Sequence, residues 1–407
     1  MKILQINSTD LFSTGNIMLN IACVARERGH EAWTASKYQR MSIVRKRTNP
    51  HHLYIGNRMV NTIHRFFAWM TDLQDCASIV STIRLVHHIK RMKPDIIHLH
   101  DVVGWYINIG ILFRYLEKAG IPIIWTFHDC WAFTGRCIHF DSAGCNHWQT
   151  GCGNCPQKKY MPGTWWFDLS AWNFRHKRHL FTAIKDMTIV TPSEWMKKLV
   201  RQSFLGAYST IVINNGIDLT RFKPTEGETY QRIRGLNKHI VLGVAGTWSV
   251  RKGLNDFIQM SHELPDDYTI VLVGISQEAL PSDTRIVAVN RTHNQEELAE
   301  IYTAATVFAN PTMEDNFPTV NLEALACGTP IVTYRTGGAP ESIDSTTGVV
   351  VPPKDLAGMM NAIRQISTQG KKTYTSTCLQ KAKRYDMNAR FNDYVDLYER
   401  LTQRKNI

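Results

Sequence analysis

The sequence predicts an α/β protein made of two Rossmann-like domains, each built on a parallel sheet. Its 407 residues are too many for one ordinary domain and suit two domains of about 200 residues each. Short apolar runs alternate with longer amphipathic stretches, which is typical of βα units. A polar stretch around Phe222 to Gly235 separates one series of such units from a second. We therefore expect domains at residues 1–222 and 223–385, followed by a C-terminal helix at 386–407.

Each strand is predicted from a short apolar run that ends at a polar loop. The runs of the first series are Lys2 to Asn7, Gly29 to Trp33, Asp95 to His100, Ile121 to His128, Thr188 to Thr191 and Ile211 to Asn214. Those of the second series are His239 to Gly246, Thr269 to Val273, Arg285 to Val289, Val307 to Asn310 and Pro330 to Tyr334. The amphipathic pattern from Asn388 to Gln403 predicts the final helix.

Composition limits the class and the location of the protein. Hydrophobic residues make up 43% of the chain and charged residues 20%, as in water-soluble globular proteins. No apolar run reaches the ~18 residues of a membrane helix, and the first residues lack the apolar core of a secretory signal. We therefore expect a cytoplasmic protein.

The net charge of +12 lies in the N-terminal half. Through Asp218 there are 26 Lys and Arg against 14 Asp and Glu, whereas from Thr220 onward there are 21 of each. Such a field attracts phospholipid headgroups or nucleic acid, unless it is simply a basic surface. Five aromatic residues of this half either add affinity for a membrane interface or belong to the core: Phe66, Phe67, Trp69, Trp165 and Trp166. Peripheral binding to an anionic membrane is the hypothesis that follows.

Four loops at the carboxyl ends of predicted strands have the chemistry of a ligand site, because parallel sheets bind ligands at that edge. Helix N-termini there offer free N–H groups to phosphate. The first loop, residues 13–16, contains Gly15, which lets the backbone approach an anion or only makes a tight turn. The second, residues 126–129, contains His128, which either binds a sugar or phosphate oxygen or is structural.

The third loop, residues 246–253, places Arg251 and Lys252 beside Gly253 at the start of a helix. Two cations at that point can neutralise a leaving diphosphate without a metal. The alternative is a solvated, basic beginning of a helix with no ligand.

The fourth loop begins at Glu314 and leads into a helix. Pro318 fits the first turn of that helix because its missing N–H costs nothing there. Glu323 lies about one and a half turns further on, where a carboxylate can accept two hydrogen bonds from a ribose diol. The N–H groups near residues 317–319 can donate to sugar or phosphate oxygens. By its chemistry alone the segment could also be a capped amphipathic helix.

Asp315 to Glu323 resembles the acid-x7-acid motif of glycosyltransferase family 4, a group of retaining enzymes with the GT-B fold. The order of the other motifs is similar to that family as well: the Gly15 loop, His128, Asn215-Gly216-Ile217-Asp218, Lys252-Gly253 and Gly337-Gly338-Ala339-Pro340-Glu341. Four segments are similar to a bacterial exopolysaccharide subgroup of the colanic-acid type. They are Pro94 to His100, Trp125 to Cys137, Cys152 to Gln157 and Thr191 to Trp195. The resemblance spans nearly the whole chain.

The resemblance implies two domains that face each other across a cleft, with the C-terminal helix crossing back to the N-terminal domain. The N-terminal domain would bind the acceptor and the C-terminal domain a nucleoside-diphosphate sugar. Glu323 would bind the ribose hydroxyls, and Asp315 the transferred sugar. Lys252 would contact the diphosphate with help from Arg251.

In the N-terminal domain, Gly15 would lie under the diphosphate and His128 beside the reaction centre. The resulting catalytic set is His128, Lys252 and Asp315. The donor-binding set is Gly15, Arg251, Lys252, Glu314, Asp315, Phe317, Pro318, Thr319 and Glu323.

Two positions depart from the family's pattern. Asp315 stands where the family usually has Glu, although Glu314 next to it could take that role with a shifted backbone. Thr247 stands where many members carry Arg, so Lys252 and Arg251 would bear more of the phosphate charge.

The implied reaction is retaining hexosyl transfer in which the departing phosphate takes the acceptor's proton. The acceptor would be a glycan, such as a polyprenyl-diphosphate-linked oligosaccharide in exopolysaccharide or O-antigen-type synthesis, at the inner face of the plasma membrane. No Asp-x-Asp triplet occurs in the sequence, which favours catalysis without a divalent metal. The alternatives are another GT-B sugar-nucleotide enzyme, such as an epimerase, and a zinc-containing nucleic-acid-binding protein. No nucleic-acid recognition module with the right spacing supports the latter.

Five of the nine cysteines crowd between Cys130 and Cys155. Within this Cys-rich loop, residues 130–157, the spacing C-x7-C-x6-C-x2-C predicts a structural zinc site at Cys137, Cys145, Cys152 and Cys155. A reducing cytoplasm favours metal over disulfide, with disulfides and free thiols as alternatives. Cys130, His139 and His147 are alternative ligands. Such a loop would shape the acceptor site.

Overall fold

The computed structural model describes residues 1–39, 50–160 and 162–403. The chain forms two compact units. Unit 1 comprises Met1–Ile213 and the end of the chain from Phe391, and unit 2 comprises Asn214–Arg390. Each unit is built on a parallel sheet with helical connections, which confirms the predicted α/β class.

The sheet of unit 1 has seven described strands in the order β3-β2-β1-β4-β5-β6-β7. Their bounds are β1 Lys2–Asn7, β2 Glu31–Lys37, β3 His52–Ile55, β4 Ile96–Leu99, β5 Ile123–Thr126, β6 Met187–Thr191 and β7 Ser209–Val212. All neighbours pair in parallel. The central strands β4 and β5 are buried along their whole length, as expected for strands that helices cover on both faces. The strand order reverses between β1 and β4, which is where an open parallel sheet offers a crevice to ligands.

Six helices connect or flank these strands in the described part of unit 1. They are α1 Phe12–Glu27, α2 Arg58–Thr71, α3 Ile79–Met92, α4 Ile109–Ala119, α5 Ser170–Phe181 and α6 Glu194–Gln202. Between β5 and α5 the Cys-rich loop forms three short 3-10 turns. Its aromatic side chains join the core of the unit.

The sheet of unit 2 has six strands in the order β10-β9-β8-β11-β12-β13, again all parallel. Their bounds are β8 His239–Val244, β9 Tyr268–Val273, β10 Ile286–Val289, β11 Val307–Asn310, β12 Ile331–Tyr334 and β13 Gly348–Val351. The helices are α7 Glu228–Arg234, α8 Leu254–Glu263, α9 Gln295–Ala304, α10 Thr319–Ala326, α11 Leu356–Gln369 and α12 Lys372–Ala382. Here the order reverses between β8 and β11.

The last helix, α13 Met387–Gln403, leaves unit 2 and ends in unit 1. Its buried residues include Tyr394 and Tyr398, and Arg28 of α1 forms an ion pair with Glu399 at 2.8 Å. The C-terminal helix therefore returns to the N-terminal domain, as the resemblance implies. None of the helices in the three described ranges is both long and apolar enough to cross a bilayer.

Candidate functional site

The third and fourth predicted loops leave neighbouring strands of unit 2. Residues 245–253 follow β8 and residues 311–318 follow β11, and these two strands pair side by side. Because both loops start at the carboxyl edge of the sheet, at the reversal of strand order, they lie where open parallel sheets bind ligands.

The two loops are joined by an ion pair between Lys252 and Asp315. The Nζ atom of Lys252 donates a hydrogen bond to Oδ2 of Asp315 at 2.6 Å, and the two side chains are 26% and 20% exposed. A charge-assisted bond of this kind is stronger than a neutral one. It holds the ammonium group in the loop cluster, and both charges keep partial access to solvent.

The backbone supports this arrangement from the side of Lys252. A short 3-10 turn over Val250–Lys252 ends at Gly253, whose φ is +77°. The amide of Met313 donates to the carbonyl oxygen of Arg251 at 2.9 Å, so the two loops are also joined through main-chain atoms. The predicted site cations Arg251 and Lys252 are both half-buried.

A glycine turn supports the arrangement from the side of Asp315. Gly338 donates its N–H to the carbonyl oxygen of Asp315 at 3.0 Å. Gly337 has a φ of +54°, and a Cβ atom there would lie 1.9 Å from that same carbonyl oxygen. Only glycine permits so close an approach at a left-handed position.

Glu323 lies on α10, the helix that the fourth loop enters. Its Oε2 atom accepts a hydrogen bond from the hydroxyl of Tyr302 at 2.9 Å. Burial raises the pKa of Glu323 to about 7, although the bond from Tyr302 acts in the opposite direction. A carboxylate with a free lone-pair capacity in such surroundings can accept further hydrogen bonds from a ligand diol.

The other predicted donor-binding residues of unit 2 surround the start of α10. Pro318 caps the helix, which begins at Thr319. Phe317 is buried, and its carbonyl oxygen accepts from Nδ2 of Asn215 at 3.1 Å. Glu314 is buried as well.

Asn321 is a residue of this region that the sequence prediction missed. Its Oδ1 atom accepts from Nδ2 of Asn310 at 2.8 Å, and its own Nδ2 donates to Oγ of Ser342 at 2.9 Å. These bonds tie α10 to the end of β11 and to the glycine turn. An amide two residues before Glu323, in a helix of mainly apolar residues, is the signal that could have identified it.

In unit 1, His128 follows β5 and belongs to a chain of imidazoles. Its Nε2 atom lies 3.1 Å from Nδ1 of His100, and the two rings stack with their centroids 5.4 Å apart. His100 also bonds to Oε1 of Gln5 at 3.0 Å. Burial lowers the pKa of His128 to about 4 and that of His100 well below its ordinary value. Both imidazoles are therefore neutral near pH 7.

Two carboxyl groups line the same small cavity as His100 and His128. Burial raises the pKa of Asp101 to about 6 and that of Asp129 to about 8, and the charge of Asp101 contributes to the second shift. The sequence prediction missed both carboxyls and His100. The signal was present, because the dipeptide His-Asp follows β4 and again follows β5.

Gly15 lies in the first turns of α1, directly after β1. A Cβ atom at this position would lie 2.6 Å from the carbonyl carbon of Asp10. The glycine thus allows the helix to approach the loop that follows β1, and this packing reason exists whether or not a ligand binds there.

The predicted zinc site at Cys137, Cys145, Cys152 and Cys155 is not assembled. The Sγ atoms of Cys137 and Cys155 are 4.0 Å apart, while Sγ of Cys152 accepts a hydrogen bond from the amide of Gly135 at 3.1 Å. Among the described residues no three His, Cys, Asp or Glu side chains converge as metal ligands, and no disulfide joins the described cysteines.

Packing and buried cations order the Cys-rich loop instead. Phe133, Phe140 and Trp148 pack against one another in its interior. Lys177 donates to the carbonyl oxygen of Trp131 at 2.8 Å. Arg136 forms a buried ion pair with Asp72 at 3.3 Å. Cysteine spacing alone could not reveal the last two contacts, because Asp72 follows α2 and Lys177 lies on α5.

Comparison with known families matches both units. A family model described as Glycosyltransferase Family 4 matches residues 15–221, which is just over half of the chain, and one described as Glycosyl transferases group 1 matches residues 238–369. This chain belongs to glycosyltransferase family 4. The resemblance noted in the sequence is confirmed, and the protein is a glycosyltransferase.

Two named relatives of this glycosyltransferase are 24% and 30% identical to it over the aligned residues. WcaC of Escherichia coli (strain K12), named as a colanic acid biosynthesis glycosyl transferase, is 24% identical over 331 residues, or 76% of this chain and 77% of WcaC. The D-inositol 3-phosphate glycosyltransferase of Corynebacterium diphtheriae is 30% identical, but the match covers 44% of this chain and 48% of that protein.

Solved structures confirm the GT-B fold of this glycosyltransferase. HepE of Anabaena in complex with UDP has a TM-score of 0.68 at 17% identity, over 98% of this chain and 100% of that one. WaaG, a glycosyltransferase involved in lipopolysaccharide biosynthesis, has a TM-score of 0.61 at 13% identity, over 97% and 99%. Neither the epimerase nor the nucleic-acid-binding alternative is favoured.

Proposed function

We propose that this glycosyltransferase moves a hexose from a nucleoside-diphosphate sugar to a glycan, with retention of configuration at the anomeric carbon. The observation that carries the proposal is the meeting of Lys252 and Asp315 at 2.6 Å on the sheet edge of unit 2. The name of WcaC supports a role in polysaccharide synthesis, and the HepE complex with UDP supports a nucleotide donor.

In the proposed donor complex, Glu323 accepts hydrogen bonds from the two ribose hydroxyls. Lys252 turns its ammonium group to the diphosphate, with Arg251 close by and the N-terminus of α10 adding its partial positive charge. Asp315, released from Lys252, accepts a hydrogen bond from the transferred sugar. Glu314, Phe317, Pro318 and Thr319 complete the donor site, and Gly15 supports the diphosphate from unit 1.

The proposed reaction needs no nucleophile from the enzyme. The bond from the anomeric carbon to the phosphate oxygen breaks, and its electron pair leaves with the diphosphate. The acceptor oxygen forms its bond on the same face of the sugar, and its proton passes to the departing phosphate oxygen. His128, neutral near pH 7, is proposed to donate a hydrogen bond to the sugar beside this centre.

We also propose that transfer requires no divalent metal, because Lys252 and Arg251 can neutralise the leaving diphosphate. Full activity in excess EDTA is the expected result. A complete loss of activity that magnesium restores would contradict this part of the proposal.

The proposed acceptor is a polyprenyl-diphosphate-linked oligosaccharide, reached by peripheral attachment to the inner face of the plasma membrane. The excess positive charge of the N-terminal half supports this placement. Of the five aromatic residues noted in the sequence, Trp69 is half-buried. The other four are exposed: Phe66, Phe67, Trp165 and Trp166. Aromatic side chains of this kind favour a membrane interface.

The proposal is tested by thermal unfolding with a panel of nucleotide sugars. A donor that binds only the folded protein must raise the unfolding temperature. We expect one nucleotide sugar to stabilise the wild type and the control Glu296→Ala, which changes an exposed carboxylate of α9. Glu323→Ala should lose the effect.

The stabilising donor is then incubated with lipid-linked glycan fractions, and the anomeric configuration of the product is determined by NMR. Retention of the donor's configuration is expected. The proposal fails if no nucleotide sugar stabilises the protein, or if the donor is epimerised or hydrolysed with no transfer.

A further inference from the structure

A basic pocket lies in unit 1 between the end of β2 and the N-terminal half of α2. It is lined by three cations and four neutral hydrogen-bonding side chains: Lys37, Arg58, Arg65, Tyr38, Gln39, Asn61 and Thr62. None of the described residues that line it is acidic. An anion is therefore the ligand that its charge would stabilise.

Two cations of this pocket, Lys37 and Arg65, repel each other electrostatically. The Nζ atom of Lys37 donates to the carbonyl oxygen of Gly104 at 2.8 Å, which fixes its position. Burial lowers the pKa of Lys37, and the positive charge of Arg65 lowers it further. The nearby acid Asp75 acts in the opposite direction, but burial raises the pKa of Asp75 itself to about 7. A bound anion would relieve this repulsion, because an opposite charge within ~4–6 Å favours the charged form.

Helix α2 places the pocket beside an exposed apolar surface. Arg58, Thr62 and Arg65 recur at helical spacing and so share one face. The adjacent face carries an apolar row, which consists of Met59, Ile63, Phe66 and Phe67. Met59 is 67% exposed and Phe66 is 52% exposed. The third face packs into unit 1 through Asn61, His64 and Ala68.

A second exposed apolar element is fixed to the end of the same helix. We name residues 164–167 the tryptophan segment, after Trp165 and Trp166, which are 49% and 59% exposed. The amide of Trp165 and the hydroxyl of Thr164 both donate to the carbonyl oxygen of Trp69, at 2.9 and 3.0 Å. The ring of Trp165 lies 5.8 Å from that of Phe66. The apolar row and the tryptophan segment therefore form one surface.

The pocket and this surface meet at Arg65, whose guanidinium lies 4.9 Å from the ring centroid of Trp69. Contiguous exposed apolar patches of this kind mark interaction sites. Cations beside such a patch suit a lipid interface, since apolar side chains enter the acyl boundary while Lys and Arg stay at the level of the phosphate groups.

We propose that Lys37, Arg58 and Arg65 bind a phosphate group carried by a membrane lipid, while the apolar row and the tryptophan segment enter the lipid interface. The inference rests on the proposed attachment to a membrane and assigns the site that recognises the headgroup. A lipid-linked substrate and a bulk anionic phospholipid both present such a phosphate.

The test measures binding to vesicles by flotation, with phosphatidylcholine vesicles that contain either polyprenyl phosphate or phosphatidylglycerol. The variant is Arg58→Gln with Arg65→Gln. The control is Lys198→Gln with Arg201→Gln, which removes the same charge from exposed positions at α6, next to the opposite edge of the sheet. Donor-induced thermal stabilisation is measured for every protein.

We expect the Arg58 and Arg65 variant to bind anionic vesicles about 25-fold more weakly than the wild type, at about fivefold for each cation near the surface. The control should lose about twofold or less, because its charges lie beyond a Debye length of about 10 Å from the contact. Stabilisation by the donor should be unchanged in both. Preference for polyprenyl phosphate over phosphatidylglycerol would assign the site to the lipid-linked substrate, and equal binding would assign it to the bulk phospholipid.

Equal losses in the variant and the control would overturn the site, because they would show attraction by net charge alone. Wild-type binding without any loss in the variant would overturn it as well, while the proposed attachment would stand. If the wild type binds no vesicle, both attachment and site fail, although sugar transfer to a detergent-dispersed acceptor could still succeed. Stabilisation of the wild type by inorganic pyrophosphate that disappears in the variant, without vesicle binding, would assign the pocket to a soluble phosphate instead.

Discussion

Lys252 and Asp315 meet because their loops leave neighbouring strands at the same edge of one sheet. The sequence motif predicts both residues, yet it does not predict that they bond to each other before a donor binds. In this state Asp315 holds the ammonium group of Lys252 at the sheet edge, beside the proposed diphosphate site. The ion pair thus fixes the position of the Lys252 ammonium group, which stays charged because it is only partly buried.

Replacing Lys252 tests this role. We expect Lys252→Ala to lower kcat/KM by about 10²–10³, as for the loss of one preorganised charge that stabilises a leaving group. Lys252→Arg keeps the charge but changes the geometry of the donors, so it should retain part of the activity. Steady-state kinetics with the identified donor measures both. A change of less than about twofold in Lys252→Ala would contradict the role.

Glu323 predicts opposite effects of pH on stability and on donor binding. Its pKa of about 7 lies above the ordinary value of about 4.3, so the folded state binds this proton more tightly than the unfolded state does. The contribution of Glu323 to the free energy of unfolding therefore falls as pH rises through that window. Donor affinity should rise over the same window if, as proposed, the carboxylate accepts hydrogen bonds from the ribose hydroxyls.

We expect Glu323→Gln to raise the free energy of unfolding by about 3 kcal/mol near pH 8 and by about 1 kcal/mol or less near pH 5. The amide oxygen can still accept from Tyr302, so the packing is kept. Donor affinity of the variant should be low and independent of pH. Urea unfolding and calorimetric titration at both pH values provide the measurements, with Glu296→Gln as the control. A stability difference that does not vary with pH would be inconsistent with a raised pKa.

At the scale of elements, the apolar runs predicted every described strand except two edge strands, β3 and β13. β1, β5, β8 and β9 follow from their composition. β3 escaped prediction because it is a half-buried, four-residue edge strand with histidine at its start. β13 escaped because Gly348 opens it and because it is an edge strand whose two central residues are half-buried.

The same limit applies to the candidate site. Lys252, Asp315 and Glu323 could be predicted because each belongs to a motif of neighbouring residues. His100 and Asp129, by contrast, come together only through the pairing of β4 with β5. The predicted zinc site is not supported by the described residues. Two contacts that order the Cys-rich loop, from Asp72 and Lys177, join residues far apart in the sequence.

The turn at Gly337 gives a prediction about one element. We expect Gly337→Ala to lower the free energy of unfolding by about 2 kcal/mol or more, from the left-handed φ and the clash with the carbonyl of Asp315. Transfer activity should fall with it, since Asp315 must move. Gly370→Ala is the matched control, because Gly370 also has a positive φ, of +82°, but has no atom within 4 Å of its added Cβ.

The control should lose about 1 kcal/mol and keep full activity. Chemical denaturation and transfer assays on the same preparations separate the two effects. Equal losses of stability in the two variants would mean that the close approach at Asp315 does not matter.

At the scale of the whole molecule, the chain leaves unit 1 at Ile213 and returns to it at Phe391. The returning part of α13 completes the packing beneath the imidazole chain. The hydroxyl of Tyr398 bonds to Nδ1 of His98 at 2.6 Å, and Nε2 of His98 bonds to Oγ1 of Thr126 at 2.8 Å. The last helix is thereby linked to the carboxyl ends of β4 and β5, where His100 and His128 lie.

This link predicts that the returning part of α13 stabilises unit 1 and not unit 2. Tyr398→Phe removes one hydroxyl and leaves the buried Nδ1 of His98 without its partner, which should cost about 1–3 kcal/mol. The control Tyr394→Phe makes the same chemical change at a long, weak contact of 3.4 Å with Thr126, so its cost should be below about 1 kcal/mol.

Hydrogen exchange followed by mass spectrometry should show lower protection in peptides from β4 and β5 of Tyr398→Phe. Peptides from β8 and β11 should keep theirs, because those strands belong to the core of unit 2. Equal loss of protection in both sheets would show that the returning helix stabilises the chain as a single cooperative body instead.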